Sequence, residues 1–192
     1  THELRTPLSN IKAYAETLAN MPAIDIERQK EFCNTINTEA SRLARFIDDL
    51  LSISRMETGG MSLLKHETDM MRLFEDVLGK VRPEMEAKNI LFNVSIPAKL
   101  PKLHVDKDKM TVTLVNLLGN AVKNTGAGIP PEQLAKIFDK FFRSNDPRVR
   151  DRTGSGLGLS IAQEIVRLHG GKLLVHSELD KGSKFTVILP VV

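Results

Sequence analysis

His2, Glu3 and Thr6 fall within about one helical turn in His2-Glu3-Leu4-Arg5-Thr6-Pro7-Leu8. A neutral imidazole nitrogen can attack a phosphoryl group near neutral pH. The neighbouring Glu3 carboxylate can hold or take the other ring proton. Thr6, one turn on, could position a water. The spacing is not His-Glu-x-x-His, so a zinc-protease helix is excluded. Pro7 lacks a backbone donor, and a kink is expected there. Taken alone, this group also fits an ordinary histidine on a helix surface.

Three further clusters could serve phosphate chemistry. Asn116 and Asn120 share one helix face, with Lys123 three residues on. Their carboxamides could bind Mg²⁺ directly or through water, and the ammonium could meet a phosphate. Gly126-Ala127-Gly128-Ile129-Pro130 permits close backbone approach to a flat ligand. Gly154-Ser155-Gly156-Leu157-Gly158-Leu159-Ser160 runs straight into a helix, where exposed amides attract phosphate. No Gly-Lys-Ser/Thr follows, so it is not a Walker A loop, and the absence of a preceding strand argues against a dinucleotide fold. Arg143–Arg152 is polar and reads as a lid or a surface loop. Phe138, Phe141 and Phe142 are expected to pack in the core at its base, and Arg143 could reach a terminal phosphate. Singly, the asparagine pair fits a polar helix edge and the first glycine pair an ordinary turn.

The elements that must carry these residues can be read from periodicity. Leu4, Leu8, Ile11, Ala15 and Leu18 make one apolar stripe, broken by Asn20-Met21-Pro22. Asp25 can cap a second, longer helix whose stripe holds Phe32, Ile36, Leu43, Ile47, Leu50 and Ile53, ended by Gly59-Gly60. Such an αα-hairpin cannot bury both stripes alone, and a second copy would complete a dimeric four-helix bundle. Beyond it, strands are expected over 61–68, 89–96, 103–105, 172–178 and 183–189. Helices are expected over 69–88, from a cap at Asp106 to about Lys123, over 131–138 and over 157–169. That order predicts an α+β layer, a mixed sheet covered on one face by helices.

Composition narrows the classes. The 192 residues are 41% hydrophobic and 27% charged, ordinary for a globular chain and unlike collagen or disordered sequence. Twenty-seven basic against 24 acidic residues give +3, too little to suggest a nucleic-acid partner. A single cysteine, Cys33, excludes an internal disulfide. No window approaches the ~20 apolar residues of a membrane span, and no signal peptide is evident. The chain opens on Thr1 rather than Met, so a longer protein is expected, with room for a membrane anchor upstream and a cytoplasmic location for this part.

In order, HELRTPL, NLLGNAVK, GAGIP, FDKFFR and GSGLGLSIAQEIVRLHGG resemble the H, N, G1, F and G2 boxes of a sensor histidine kinase of a two-component system. The resemblance covers nearly the whole chain. It implies an all-α dimerisation and phosphotransfer hairpin over 1–57, followed over 58–192 by an α+β Bergerat-type ATP-binding domain shared with the GHKL superfamily. It implies ATP and Mg²⁺ as cofactors and a response regulator receiver domain as partner. His2 would be the phosphoacceptor and Glu3 its acid–base neighbour. Thr6 would act with Glu3 in dephosphorylating the regulator. Asn120 would ligate Mg²⁺ with Asn116 nearby, Lys123 would contact phosphates and Arg143 would approach the γ-phosphate. Gly126, Gly128, Gly154, Gly156, Leu157 and Gly158 would line the nucleotide. Leu51–Gly60 would be the hinge between the domains.

The junction between two of the boxes departs from the family. The family has a strand pair between the N and G1 boxes, and an Asp two residues before the first G1 glycine that reads the adenine amino group. Here Lys123-Asn124-Thr125-Gly126 runs directly from box to box. Asn124 holds the Asp place counted back from the G1 box; counted forward from the N box, Asn124-Thr125 holds the place of an aromatic-Ser/Thr pair. Two strands need at least ~10–12 residues. A true deletion would remove central strands, so a further segment at this junction is expected. Two alternatives to the kinase are a phosphatase-dominant or non-catalytic dimeric scaffold with an impaired ATP site, and a GHKL ATPase coupled to mechanical closure. The H box counts against the latter.

Overall fold

The computed structural model describes residues 2–21, 24–97, 99–124, 126–146 and 154–191, with backbone only for His2 and Glu3. The chain divides into two compact units, Thr1–Arg55 and Met56–Val192.

The first unit holds α1 (His2–Asn20) and most of α2 (Ile26–Glu57). Asp25 sits just before α2, and its carbonyl accepts the Gln29 N–H at 2.9 Å. The helices lie against each other in opposite directions: Asn10 Nδ2 donates to Glu39 Oε1 at 3.4 Å, and Tyr14 meets Phe32 with ring centroids 5.1 Å apart. Pro7, Phe46 and Ile53 are buried. Leu8 and Ile47, one on each stripe, stay exposed, as does the neighbouring Leu51, so the apolar stripes are only partly used within one chain.

The second unit contains β1 (His66–Thr68), α3 (Met70–Ala87), β2 (Leu103–Val105) and α4 (Lys107–Lys123). It continues with α5 (Pro131–Leu134), α6 (Gly158–Leu168), β3 (Lys172–Glu178) and β4 (Gly182–Ile188). Asp69 caps α3, accepting from the Met71 and Arg72 amides. That satisfies donors every helix start leaves open. Leu73, Val77, Val81 and Met85, four residues apart, form the buried face of α3. Ile161, Ala162, Ile165 and Val166 do the same for α6. One core joins Leu117 of α4, Ala162 and Val166 of α6 and Leu173 of β3. A second joins Val81 and Met85 to Val122, with Ile90 and Leu118 against them.

The expected mixed sheet is not what forms. Among the described residues there are two separate antiparallel pairs, β1–β2 and β3–β4. The expected strand over 89–96 does not form: Asn89 sits in a turn with φ +52°, 90–96 has no regular structure, and Leu91 is 97% exposed. The junction supplies the reason. Asn124 caps α4, its N–H donating to the Asn120 carbonyl, and its own carbonyl accepts the Ala127 N–H at 3.3 Å. The Asn124–Ala127 bond brings the 126–130 loop close behind α4, and among the described residues no neighbouring strand is available for 89–96. A strand without a partner leaves its amides and carbonyls to water and gains nothing by regularising. An apolar cleft of about 280 Å³, lined by Met70, Phe74, Met110, Leu114, Val187 and Leu189 among others, opens between α3, α4 and β4. Other elements are shorter than expected: only His66–Thr68 of 61–68 is strand, and only Pro131–Leu134 of 131–138 is helix.

Candidate functional site

The site is organised by the antiparallel pair α4 and α6. At one end of the pair, Asn116 on α4 faces the first residue of α6. A Cβ at Gly158 would lie 3.2 Å from the Asn116 carboxamide, so glycine lets the side chain sit against the helix start. Asn116 Nδ2 is buried without a hydrogen-bond partner. An unpaired buried amide donor costs about 1–3 kcal/mol, and its place beside a helix N-terminus, which favours anions, suits a phosphate oxygen. Leu157, preceding α6, is fully buried, and Leu157 N–H donates to Ser155 Oγ at 3.3 Å.

Asn120 and Lys123 continue the face that Asn116 begins, and both are half-buried. Carboxamide oxygens suit a hard divalent cation that shares its shell with phosphates. Among the described residues no group of three or more His, Cys, Asp or Glu could hold a metal alone. The carboxamide oxygens of Asn120 and Asn116 are of the type that suits such a cation.

The glycine segments divide. Gly156 has φ +69°, and a Cβ there would meet the Phe141 and Phe142 backbone at 2.8–2.9 Å. Phe141 N–H donates to the Gly156 carbonyl at 3.0 Å, tying the loop before α6 to the aromatic segment. Gly128 has φ +67°, and a Cβ would lie 2.2 Å from the Glu178 carbonyl oxygen. Its close approach is thus to the end of β3, where the sequence suggested a flat ligand. Ile129 N–H donates to Ser177 Oγ at 2.8 Å, and Asp180 N–H to the Ala127 carbonyl at 3.1 Å, pinning the same loop to the β3–β4 hairpin. Gly126 and Gly154 have open space beside them. Phe138 packs on the core and Phe142 is half-buried, but Phe141 is 56% exposed, so the expectation of three core aromatics fails there. Arg143, next along, is exposed.

In the first unit Thr6 is exposed on α1. The His2 and Glu3 side chains lie outside the described residues, as do 147–153, the greater part of the expected lid.

Behind the site lies a cluster of which the sequence signalled mainly the Asp106 cap. Asp106 caps α4: Oδ1 accepts the Lys109 N–H and Oδ2 the Leu64 N–H, each at 3.0 Å. Burial alone would raise its pKa, but those two backbone donors, then the Lys109 charge, outweigh it and hold the carboxyl below the usual aspartate value. Asp106 N–H in turn donates to Nε2 of the buried His169 at 3.0 Å. The only sequence signal for His169 was its place before Gly170-Gly171. Ser177 had none.

Comparisons with known proteins bear on the family and the fold. The histidine kinase-, DNA gyrase B-, and HSP90-like ATPase profile matches residues 65–192, and the His Kinase A phospho-acceptor profile matches residues 1–59. The chain belongs to the histidine kinase-, DNA gyrase B- and HSP90-like ATPase family, and a helical region matching the His Kinase A phospho-acceptor profile comes before its α/β domain in sequence. A curated relative, sensor protein SrrB of Staphylococcus aureus, is 32% identical over 216 positions, covering 99% of this chain and 36% of the relative. The chain thus spans about a third of the curated relatives it matches. At least 24 positions of that match, the excess of 216 over 192, have no counterpart here. Among solved structures, full-length ShkA in complex with AMPPNP shares the fold at a TM-score of 0.70 and 23% identity, covering 100% of this chain and 45% of that one. Histidine kinase ThkA in complex with response regulator protein TrrA does so at 0.69 and 23%, covering 98% and 59%.

Proposed function

We propose that this chain is the autophosphorylating core of a sensor histidine kinase, with a phosphotransfer hairpin over 1–57 and an ATP-binding domain over 58–192. The observation that carries the reading is the buried, unpartnered Asn116 Nδ2 set against the start of α6. It is a donor placed to meet a phosphate oxygen. ATP binds with its phosphates between Asn116, Asn120, Lys123 and the amides at Gly158. Arg143 and Gly154–Leu157 approach from the loop side, and Gly126 and Gly128 border the base. Asn120 would hold Mg²⁺, which when bound neutralises charge on the phosphates.

His2 Nε2 attacks the γ-phosphorus, a P–N bond forms, and the P–O bond to the β-phosphate breaks, its electron pair leaving with ADP. Glu3 takes or holds the Nδ1 proton. The phosphoryl group then passes to an aspartate of a response regulator receiver domain, the kind of partner seen with ThkA. Thr6, exposed on α1, positions a water for regulator dephosphorylation. Leu51–Gly60 is the hinge that lets the ATP domain reach His2 and withdraw. The partly used stripes at Leu8 and Ile47, with the neighbouring Leu51, fit a homodimer through the hairpin. No described helix is long and apolar enough to cross a membrane. We place this part in the cytoplasm, with any anchor upstream. We propose no nucleic-acid partner. Family membership favours the kinase over the scaffold alternative.

The test is labelling from γ-labelled MgATP. The expected product is acid-labile, base-stable phosphate on the chain, lost in His2→Gln. Acid-stable phosphate on Ser or Thr would overturn the assignment.

A further inference from the structure

His169 closes α6 and is 4% exposed. Its Nε2 lies 3.0 Å from the Asp106 backbone nitrogen, and its Nδ1 lies 2.8 Å from the Ile165 carbonyl oxygen. A backbone N–H can only donate, so Nε2 carries no proton, and the neutral ring therefore carries its proton on Nδ1. The Nδ1–H donates to Ile165, one turn back on the same helix. His169 thus links the last turn of α6 to the cap of α4. Asp106 extends the link, because its carboxylate also holds the Lys109 amide and the Leu64 amide.

The two helices run antiparallel, so this link sits at the end opposite the phosphate site. Asp106 and His169 face each other at one end; Asn116 and Gly158 face each other at the other. The two helices share an apolar core that includes Leu117 of α4 and Ala162 and Val166 of α6. Apolar contacts are non-directional and hold distance better than they hold register. A buried, directional hydrogen bond between neutral groups fixes register, and losing its acceptor strands the Asp106 N–H.

We propose that His169 is a positioning residue for the nucleotide site: it sets the register of α4 against α6 and so places Asn116 at the start of α6. The proposal rests on the reading of that end as the phosphate site. His169 makes no contact with nucleotide itself and acts only through Asp106 and α4.

The test uses the full chain and three variants. His169→Gln puts a carboxamide acceptor at the place of Nε2. His169→Leu removes the acceptor at similar volume, and His169→Asn reaches only the place of Nδ1. The readouts are MgATP affinity by calorimetry and, without nucleotide, the NMR signals of the Asn116 carboxamide and the Gly158 amide. The Leu and Asn variants are expected to weaken MgATP binding about tenfold and to shift both signals. The Gln variant is expected to stay within about twofold with both signals in place. A folded Leu or Asn variant with unmoved signals overturns the proposal. If neither folds, the wild-type ring decides: an unprotonated Nε2 coupled to the Asp106 N–H, with the Gln variant folded and native-like, supports it. A protonated Nε2, or a Gln variant with shifted Asn116 and Gly158 signals, overturns it. Absence of MgATP binding in the wild type would overturn the nucleotide reading alone, since the two signals judge His169 without it.

Discussion

The two sides of the second unit are finished to different degrees. Where α4 meets α6, each polar group has a role. Asp106 caps, His169 links, and the buried Asn116 Nδ2 lies against a helix start. Where the sheet should run, 89–96 has no partner, Leu91 is 97% exposed, and an apolar cleft lies open beside Val187 and Leu189. Asn124 caps α4 and its bond to Ala127 brings close the 126–130 loop, whose Gly128 packs on the β3 end. The phosphate end of such a site depends on a helix pair, and it can be complete while the base end, which depends on the sheet, is not.

The largest effect is expected at the helix hairpin, apart from both sides. His2→Gln should abolish acid-labile phosphate altogether while leaving MgATP affinity of the second unit unchanged, by calorimetry. Loss of both would mean the two activities are not separable as described. Next, Asn120→Ala should lower the autophosphorylation rate by about a hundredfold, the scale of losing one group that offsets charge in the transition state. An equal loss in a surface variant such as Lys12→Ala would show that the effect is not local. At the sheet side the expectation is loss of discrimination. If Asn124 holds the place of the family's adenine-reading carboxylate, MgATP and MgGTP should bind within about tenfold of each other, where a site built to read a polar group discriminates by about 10⁴ or more. Strong preference for ATP in competition titrations would show that the base end is complete after all.

The smallest effect concerns acid. The Asp106 carboxyl is held below its ordinary value, 3.8, so its folded pKa is lower than its unfolded one. The stability it contributes is fully present above about pH 4 and is lost as pH falls through the folded pKa. Melting temperature followed downward from pH 5 should therefore fall more steeply in the wild type than in Asp106→Asn. Parallel curves would contradict the role given to its two backbone donors.

Much of this was legible in the sequence because it is local. The Asp106 cap and the Asn116–Asn120–Lys123 face both follow from spacing along one helix. What was not legible is non-local. The strand pattern of 89–96 is real, with Ile90, Phe92, Val94 and Ile96 alternating. Whether it becomes a strand depends on a neighbour that periodicity does not reveal. Gly128 reads as room for a ligand until the Glu178 carbonyl is found 2.2 Å from where its Cβ would be. His169 reads as the end of a helix, and only the fold brings the Asp106 amide to it, 63 residues away.

The contrast between the helix pair and the sheet side is tested most directly by titrating the full chain with MgATP, followed residue by residue by NMR. Saturable shifts are predicted at the Asn116 carboxamide and the Gly158 amide, with the amides of 89–96 unmoved. Saturation without change at Asn116 and Gly158 would contradict this, because the phosphates would then be bound somewhere other than the α4–α6 end.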